Sequence, residues 1–387
     1  MNASRPGTLR KQNTSLVLQT ILNSPTPLPR ASIANKTGLT KATVSRIVAE
    51  LLHARLLTER TPEIERIGRP SLPLEIRPMT YAAIGMEVNI SYLAVTVTDL
   101  AGDTLFSAVE KDNFRSSDPK YVLPRLGEMV RQWSPPKGCC ITGTRLCIPG
   151  LTTEDKTILT APNLGWKNVV PETYLSLPDP ISLGCLMNEA DAAAYSMLYS
   201  APGSFSSNKS FLYVSGEVGV GASIMFNSKL FSGSHNWAGE IGHMCVDPAG
   251  PLCRCGSNGC LEQFVGQDAL LKAAGLPENS TFTRLLASYK KRESKSIEAI
   301  DQANKAISIA ISNALNLLDL DVVIFGGNLA ALLDFGAVKI EKELKKRLLN
   351  SKWSETRLLT NPHGFFSASK GACYAALEAF IENPSLS

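Results

Sequence analysis

Three cysteines and a histidine crowded into one short stretch constrain this chain more than any other feature. His243 precedes the run Cys253-Arg-Cys255-Gly-Ser-Asn-Gly-Cys260. One imidazole and three thiolates suit tetrahedral Zn²⁺, and Gly256 and Gly259 permit the tight turns between ligands. Four protein ligands leave no coordination position open, so the expectation is one structural zinc per chain rather than a hydrolytic metal. The alternative is a disulfide within Cys253–Cys260, which a reducing compartment disfavours. Cys139, Cys140, Cys147, Cys185, Cys245 and Cys373 lie in apolar or small-residue contexts without metal-type spacing. They read as reduced thiols of the core.

A chain of 387 residues exceeds one typical domain, so two or three folding units are expected. With 44% hydrophobic and 19% charged residues, its composition is that of an ordinary globular protein. No apolar run reaches the roughly 18–20 residues that span a bilayer, and the start lacks the apolar core of a signal peptide. A cytoplasmic protein without membrane contact is the expectation.

Charge is divided unevenly. Residues 1–80 hold 12 Lys/Arg against 5 Asp/Glu, net +7, leaving 27 against 30, net −3, in the remainder. A basic end on a near-neutral body suggests a polyanion partner such as DNA, with a solvated surface as the alternative. From Ser15, an N-cap type residue, apolar spacing predicts a first helix, which Pro25-Thr-Pro-Leu-Pro stops. Arg30–Thr37 reads as a second helix closed by Gly38, and Thr40 as the cap of a third from Lys41 to about Leu52. Val44, Ile47, Val48 and Leu51 form one apolar stripe of that helix. Lys41, Thr43, Ser45 and Arg46 are the candidate DNA contacts on its other side, with Arg46 the better candidate to read guanine. Two extended runs flank Ile67-Gly-Arg69-Pro, a plausible wing whose Arg69 suits a narrow minor groove; a plain β-turn is its alternative. The expected partner is double-stranded operator DNA, against a helical protein-interaction domain as the competing reading.

Pro78-Met-Thr marks the expected junction, giving residues 1–78 as a winged helix-turn-helix. The body opens with the strand-like runs Tyr81–Met86, Tyr92–Thr98 and Thr104–Ala108. A similar start recurs at Phe211–Ser215, Gly219–Phe226 and Lys229–Phe231. Two α/β lobes of related design follow, at 79–190, completed by a C-terminal helix within 366–387, and at 191–365. A long helix near Ser296–Leu318 and a buried strand Asp321–Phe325 complete the second.

The runs Gly233-Ser-His-Asn-Trp-Ala-Gly-Glu-Ile-Gly-His243 and Cys-x-Cys-Gly-x-x-Gly-Cys-x-Glu262 resemble the signature of the ROK family of repressors, open reading frames and kinases. The resemblance covers essentially the whole chain, because the family's regulators place a winged helix-turn-helix and a Gly-Arg-Pro wing before the body. It implies a two-lobed, actin-like ATPase (ribonuclease H-like) fold of sugar-kinase type. It also implies that Asn163, Asn188, Glu189, Glu240, His243 and Glu262 bind sugar hydroxyls, making a sugar or sugar phosphate the expected effector. Carboxylates and amides suit a ring of hydroxyls.

Family kinases carry an Asp-x-Gly-Gly-Thr phosphate loop, where this chain has Glu87-Val88-Asn89-Ile90-Ser91. Without the glycines, close backbone approach to phosphate is obstructed, so ATP is not expected. In Gly216-Glu217-Val-Gly219-Val-Gly221 an acidic side chain falls where phosphates would lie. The family's catalytic Asp is replaced by Glu189, and a shift of about 1 Å in the carboxylate can cost about a hundredfold in rate. The expectation is a sugar-responsive regulator, a repressor foremost, working as a homodimer or homotetramer and not as an enzyme. An active sugar kinase with an accessory DNA-binding domain and a ligand-independent DNA-binding protein are the alternatives.

Overall fold

The computed structural model describes residues 6–60 and 72–385. The first helix, α1 (Pro6–Leu22), begins well before Ser15. Pro6 suits a first helical turn, and Thr14 continues the helix by donating its hydroxyl to the Arg10 carbonyl (3.0 Å), so Ser15 is a buried interior residue and not a cap. Helix α2 (Arg30–Thr37) closes on Gly38, whose φ of 71° directs its N–H to the Ala34 carbonyl. Helix α3 (Lys41–His53) starts at Thr40, whose hydroxyl accepts from the Thr43 N–H (3.1 Å), and buries Val44, Ile47, Val48 and Leu51.

Strands β1 (Leu28–Pro29), β2 (Leu57–Glu59) and β3 (Pro73–Ile76) form a sheet in the order β1-β3-β2, with Leu57 opposite Ile76 and Leu28 opposite Leu74. The Pro-rich stretch thus contributes a strand as well as stopping a helix. Arg69 and the expected wing tip lie outside the described residues.

Two five-stranded sheets follow. In the first, β4 (Tyr81–Val88), β5 (Tyr92–Asp99) and β6 (Thr104–Lys111) form an antiparallel meander. The strands β7 (Cys140–Ile148) and β11 (Cys185–Asn188) join parallel to it, in the order β11-β7-β4-β5-β6. Short strands β8 (Leu151–Thr152), β9 (Ile158–Ala161) and β10 (Trp166–Val169) make a side sheet, and β12 (Tyr199–Ala201) pairs with β13 (Ser204–Phe205). Helices α4 (Pro119–Arg131) and α5 (Glu189–Leu198) accompany this sheet. The second sheet repeats the plan. A meander of β14 (Phe211–Gly216), β15 (Val220–Phe226) and β16 (Lys229–Leu230) is extended by parallel β17 (Val322–Gly326) and β18 (Arg357–Thr360), in the order β16-β15-β14-β17-β18. Helices α6 (Glu262–Val265), α7 (Gln267–Ala273), α8 (Phe282–Lys290), α9 (Ser294–Leu318) and α10 (Gly327–Arg347) belong with it, and α11 (Ser367–Glu382) ends the chain. Every residue of β4 and β5 is buried, as strands at the centre of a sheet covered on both faces require.

The chain divides into two compact units, Met1–Thr160 with Trp166–Ser207 and Ala368–Ser387, and Ala161–Gly165 with Asn208–Ser367. In the first unit the helix-turn-helix shares its core with the body. Val17, Leu18, Val48 and Leu51 belong to one buried cluster with Tyr81 of β4 and with Leu377, Phe380 and Ile381 of α11. Tyr81 stacks on Phe380 (5.3 Å) and donates its hydroxyl to the Ala54 carbonyl (2.8 Å). The junction at Pro78–Thr80 is pinned too: the Met79 N–H reaches the fully buried carboxylate of Asp99 at 2.7 Å. Among the described residues, no helix is long and apolar enough to cross a membrane.

Candidate metal and ligand site and nucleic-acid interface

The Gly239-Glu-Ile-Gly-His243 run lies directly against β15. The Ala222 N–H donates to the Gly239 carbonyl (2.9 Å), and a Cβ at Gly239 would lie 2.0 Å from the Ala222 carbonyl oxygen. With φ at 103°, this position demands glycine, and the turn that follows presents Glu240 and His243. The cysteine run folds back on the residues after His243. Leu261 N–H reaches the Met244 carbonyl (2.9 Å), and the backbones of Cys245 and Cys260, and of Leu252 and Asn258, pair as short antiparallel β-contacts. Gly259, at φ 64°, packs so closely that a Cβ would meet the Asp247 carbonyl oxygen at 1.6 Å.

These contacts bring the ligand atoms of His243, Cys253, Cys255 and Cys260 within 4.8 Å of one another, a cluster that could hold a metal ion. Cys253 Sγ is 3.7 Å from His243 Nδ1, and Cys255 Sγ is 3.6 Å from Cys260 Sγ. The ring's other nitrogen, Nε2, is 3.9 Å from Glu240 Oε2. Partial desolvation raises the Glu240 carboxyl, an effect to which the negative charge of Glu262 adds and which His243 opposes.

Asn163 and Glu262 are joined by a residue that sequence reasoning did not single out. Arg254 donates through Nη1 to Asn163 Oδ1 (2.6 Å) and through Nη2 to Glu262 Oε1 (3.1 Å). Its place between Cys253 and Cys255 is visible in the sequence, but spacing alone does not give the direction of a side chain. The Glu262 Oε2 accepts from the Val220 N–H (3.1 Å), which fixes that carboxylate on β15. Asn188 and Glu189 belong to the first unit. There the Asn188 Oδ1 caps α5 by accepting from the Ala190 N–H (2.8 Å), and its Nδ2 donates to the Gly150 carbonyl (3.2 Å). Glu189 is the first residue of that helix.

The turn Glu87-Val-Asn-Ile-Ser91 is closed on itself. Asn89 Oδ1 accepts from the Ser91 N–H (3.1 Å) and from its hydroxyl (3.2 Å), and Tyr92 donates to Glu87 Oε1 (2.7 Å). Asn89 and Ile90 are both buried.

On α3, Lys41, Ser45 and Arg46 are exposed opposite the buried stripe. Thr43 is half-buried and its hydroxyl contacts the Thr40 hydroxyl (2.9 Å), so it takes part in the helix cap.

A helix-turn-helix followed by two lobes with the same five-strand order, each a meander extended by two parallel strands, defines a DNA-binding-type domain on an actin-like, sugar-kinase-type body. The chain belongs to the ROK family, whose profile matches residues 83–379, and residues 12–61 match the IclR helix-turn-helix domain. It is 25% identical to the xylose repressor of Bacillus spizizenii over 378 residues, 97% of each chain. It is 29% identical to the xylose repressor of Caldicellulosiruptor bescii over 362 residues, 87% of each. Residues amounting to 37% of this chain are 33% identical to 48% of an N-acetylmannosamine kinase of Vibrio vulnificus. In fold, the chain is similar to a ROK family transcriptional regulator described as a homolog of the E. coli MLC protein (TM-score 0.79, 21% identity, 97% of each chain). It is also similar to a ROK family glucokinase from Streptomyces griseus solved with glucose and AMPPNP (TM-score 0.61, 21% identity), over 76% of this chain and 98% of that one.

Proposed function

We propose that this chain is a sugar-responsive transcriptional repressor that binds operator DNA through residues 1–78 and uses its body, residues 79–190 with 366–387 and 191–365, as a sensor without kinase activity. The observation that carries the reading is the presence, in one chain, of an exposed basic face on α3 and of a polar cluster, Asn163, Glu240 and Glu262, built around a His/Cys cluster. It is supported by the xylose repressors that the chain matches over most of their length.

Lys41, Thr43, Ser45 and Arg46, with Arg69, contact the DNA; some position the protein on phosphates and Arg46 reads a base edge. Two copies or four act together, because recognition helices pair over two half-sites. The protein works in the cytoplasm, where its DNA is. Asn163, Glu240, His243 and Glu262 hold a sugar or sugar phosphate.

His243, Cys253, Cys255 and Cys260 hold one Zn²⁺. The fit is supported by the ligand spacing: with zinc–ligand bonds of about 2.0–2.3 Å, a tetrahedron requires ligands about 3.3–3.8 Å apart, close to the 3.6 and 3.7 Å between facing atoms here. The ion supplies a structural cross-link. His243 faces the thiols through Nδ1, which leaves Nε2 on the side of Glu240. Support for the absence of phosphorylation comes from the self-closed turn at Asn89 and from the buried Ile90, where a phosphate cradle needs open backbone. Turnover with ATP and simple sugars is expected to fall well below the usual enzyme range of roughly 1–1,000 per second.

The test is a titration of the full-length protein on a genomic fragment that it retains. D-xylose, D-glucose and N-acetyl-D-mannosamine are added, and both sugar binding and DNA binding are read. A coupling of about 1–3 kcal/mol would change DNA affinity about 5- to 150-fold, and operator DNA would change sugar affinity by the same factor. A sugar that binds saturably and leaves DNA affinity unchanged across the titration would remove the sensor assignment.

A further inference from the structure

The Glu262 carboxylate is almost wholly enclosed, at 8% exposure, and its two oxygens are held differently. Oε2 takes the backbone N–H of Val220, a donor that cannot leave without moving β15. Oε1 takes Nη2 of Arg254, on a long side chain that is itself 46% exposed. A buried carboxylate needs donors at all times, and here one donor is fixed and one is exchangeable. The same guanidinium donates its other terminal nitrogen to Asn163 Oδ1. Gly219 leaves room for both side chains, since a Cβ there would crowd Asn163 Nδ2 (3.0 Å) and Glu262 Oε2 (3.2 Å).

A guanidinium presents two parallel N–H groups in a rigid fork. Two hydroxyls on adjacent carbons of a sugar ring present paired donors in the same manner. We infer that Arg254 is an internal occupant of the sugar-hydroxyl subsite: it bridges Asn163 and Glu262 when no ligand is bound, and the effector enters by displacing it with a vicinal diol. This inference rests on the sugar-site reading given above. Displacement is possible on the arginine side because a half-exposed guanidinium regains water as it leaves, and the incoming hydroxyl replaces the donor that the enclosed carboxylate loses. It is selective on the ligand side, because only a ligand that supplies both donors satisfies both acceptors; a single hydroxyl leaves one of them unpaired. The arginine thereby raises the sugar concentration at which the site fills and favours ligands with adjacent free hydroxyls.

Removing the internal occupant should therefore tighten sugar binding. Isothermal titration of the full-length protein with D-xylose, D-glucose and N-acetyl-D-mannosamine is the test, with metal content measured for each preparation. Arg254→Ala is expected to lower Kd about tenfold, equivalent to about 1.4 kcal/mol. Arg254→Lys keeps the charge but has one ammonium, which cannot bridge both acceptors, and is expected to fall between the two. It also serves if the alanine variant loses metal or fold. Equal or weaker binding in a variant that retains metal overturns the displacement mechanism and leaves the sugar site standing, since it makes Arg254 a bystander or a ligand contact. If none of the three sugars binds the wild-type protein or either variant, the sugar-site reading falls, and this inference with it.

Discussion

Cys255 and Cys260 face each other across 3.6 Å with opposite proton affinities. The Ser257 backbone N–H, ahead of the neighbouring thiols, lowers Cys255 to about 7, whereas burial pushes Cys260 up to about 12. A bound cation favours the thiolate at both, so metal and fold are linked. Cys255→Ser is expected to reduce metal from one ion per chain to a small fraction and to lower Tm in the same preparation, read by elemental analysis and calorimetry. Unchanged metal content would exclude Cys255 as a ligand. A second residue-scale expectation concerns Glu378 of α11, whose carboxyl is raised chiefly by burial, with hydrogen bonds from Tyr199 and Tyr195 opposing. For an acid raised by folding, the native state holds a proton that the unfolded chain has already released above the ordinary carboxyl range, so stability from this group declines as pH rises through that window. Glu378→Gln mimics the protonated form and can still accept from Tyr199. It should match the wild type near pH 4.5 and exceed it at pH 8 by about 2 °C in Tm; a difference independent of pH would contradict the assignment.

Two elements carry predictions of their own. On α3, Lys41→Ala is expected to weaken binding to all DNA sequences and to reduce the salt slope by about one, whereas Arg46→Ala should cost about 1–3 kcal/mol at the preferred site only. Equal losses on specific and nonspecific DNA would place Arg46 on a phosphate. Between α9 and α10, Asn304 is buried with neither amide atom hydrogen-bonded, and a Cβ on Gly336 would lie 2.2 Å from its Oδ1. Gly336→Ala should therefore cost about 1–3 kcal/mol through overpacking. Adding Asn304→Ala should recover most of that loss, and a strictly additive double-variant cycle would show that the two residues do not meet. The amphipathic stripe of α3 was legible because four apolar residues share one helical face. The true start of α1 was not, because Ser15 looks like a cap and only the packed helix shows that it lies inside.

For the whole molecule, the shared core of α11 and the helix-turn-helix places the last helix of the chain under the first three. Phe380→Ala removes the ring stacked on Tyr81 and should cost about 3–5 kcal/mol. It should also weaken DNA binding, although Phe380 is far from α3 in sequence. Preserved DNA affinity with lowered Tm would show that the helix-turn-helix folds without this support.

Residue type and spacing alone singled out His243, Cys253, Cys255 and Cys260 as a group that could hold a metal ion, because soft ligands gathered between glycines have few other uses. They also determined the basic helix-turn-helix and the doubled meander, because local periodicity and turn chemistry specify elements. Tertiary structure alone decided that the Pro-rich stretch adds β1 to a sheet, that Asn188 caps α5, that Pro78–Thr80 is pinned to Asp99, and that Arg254 reaches Asn163 and Glu262. Each of these depends on the direction of a side chain or a backbone group toward a partner distant in sequence. Such pairings are set by packing and by the need to satisfy buried polar groups, and short-range pattern carries no record of them.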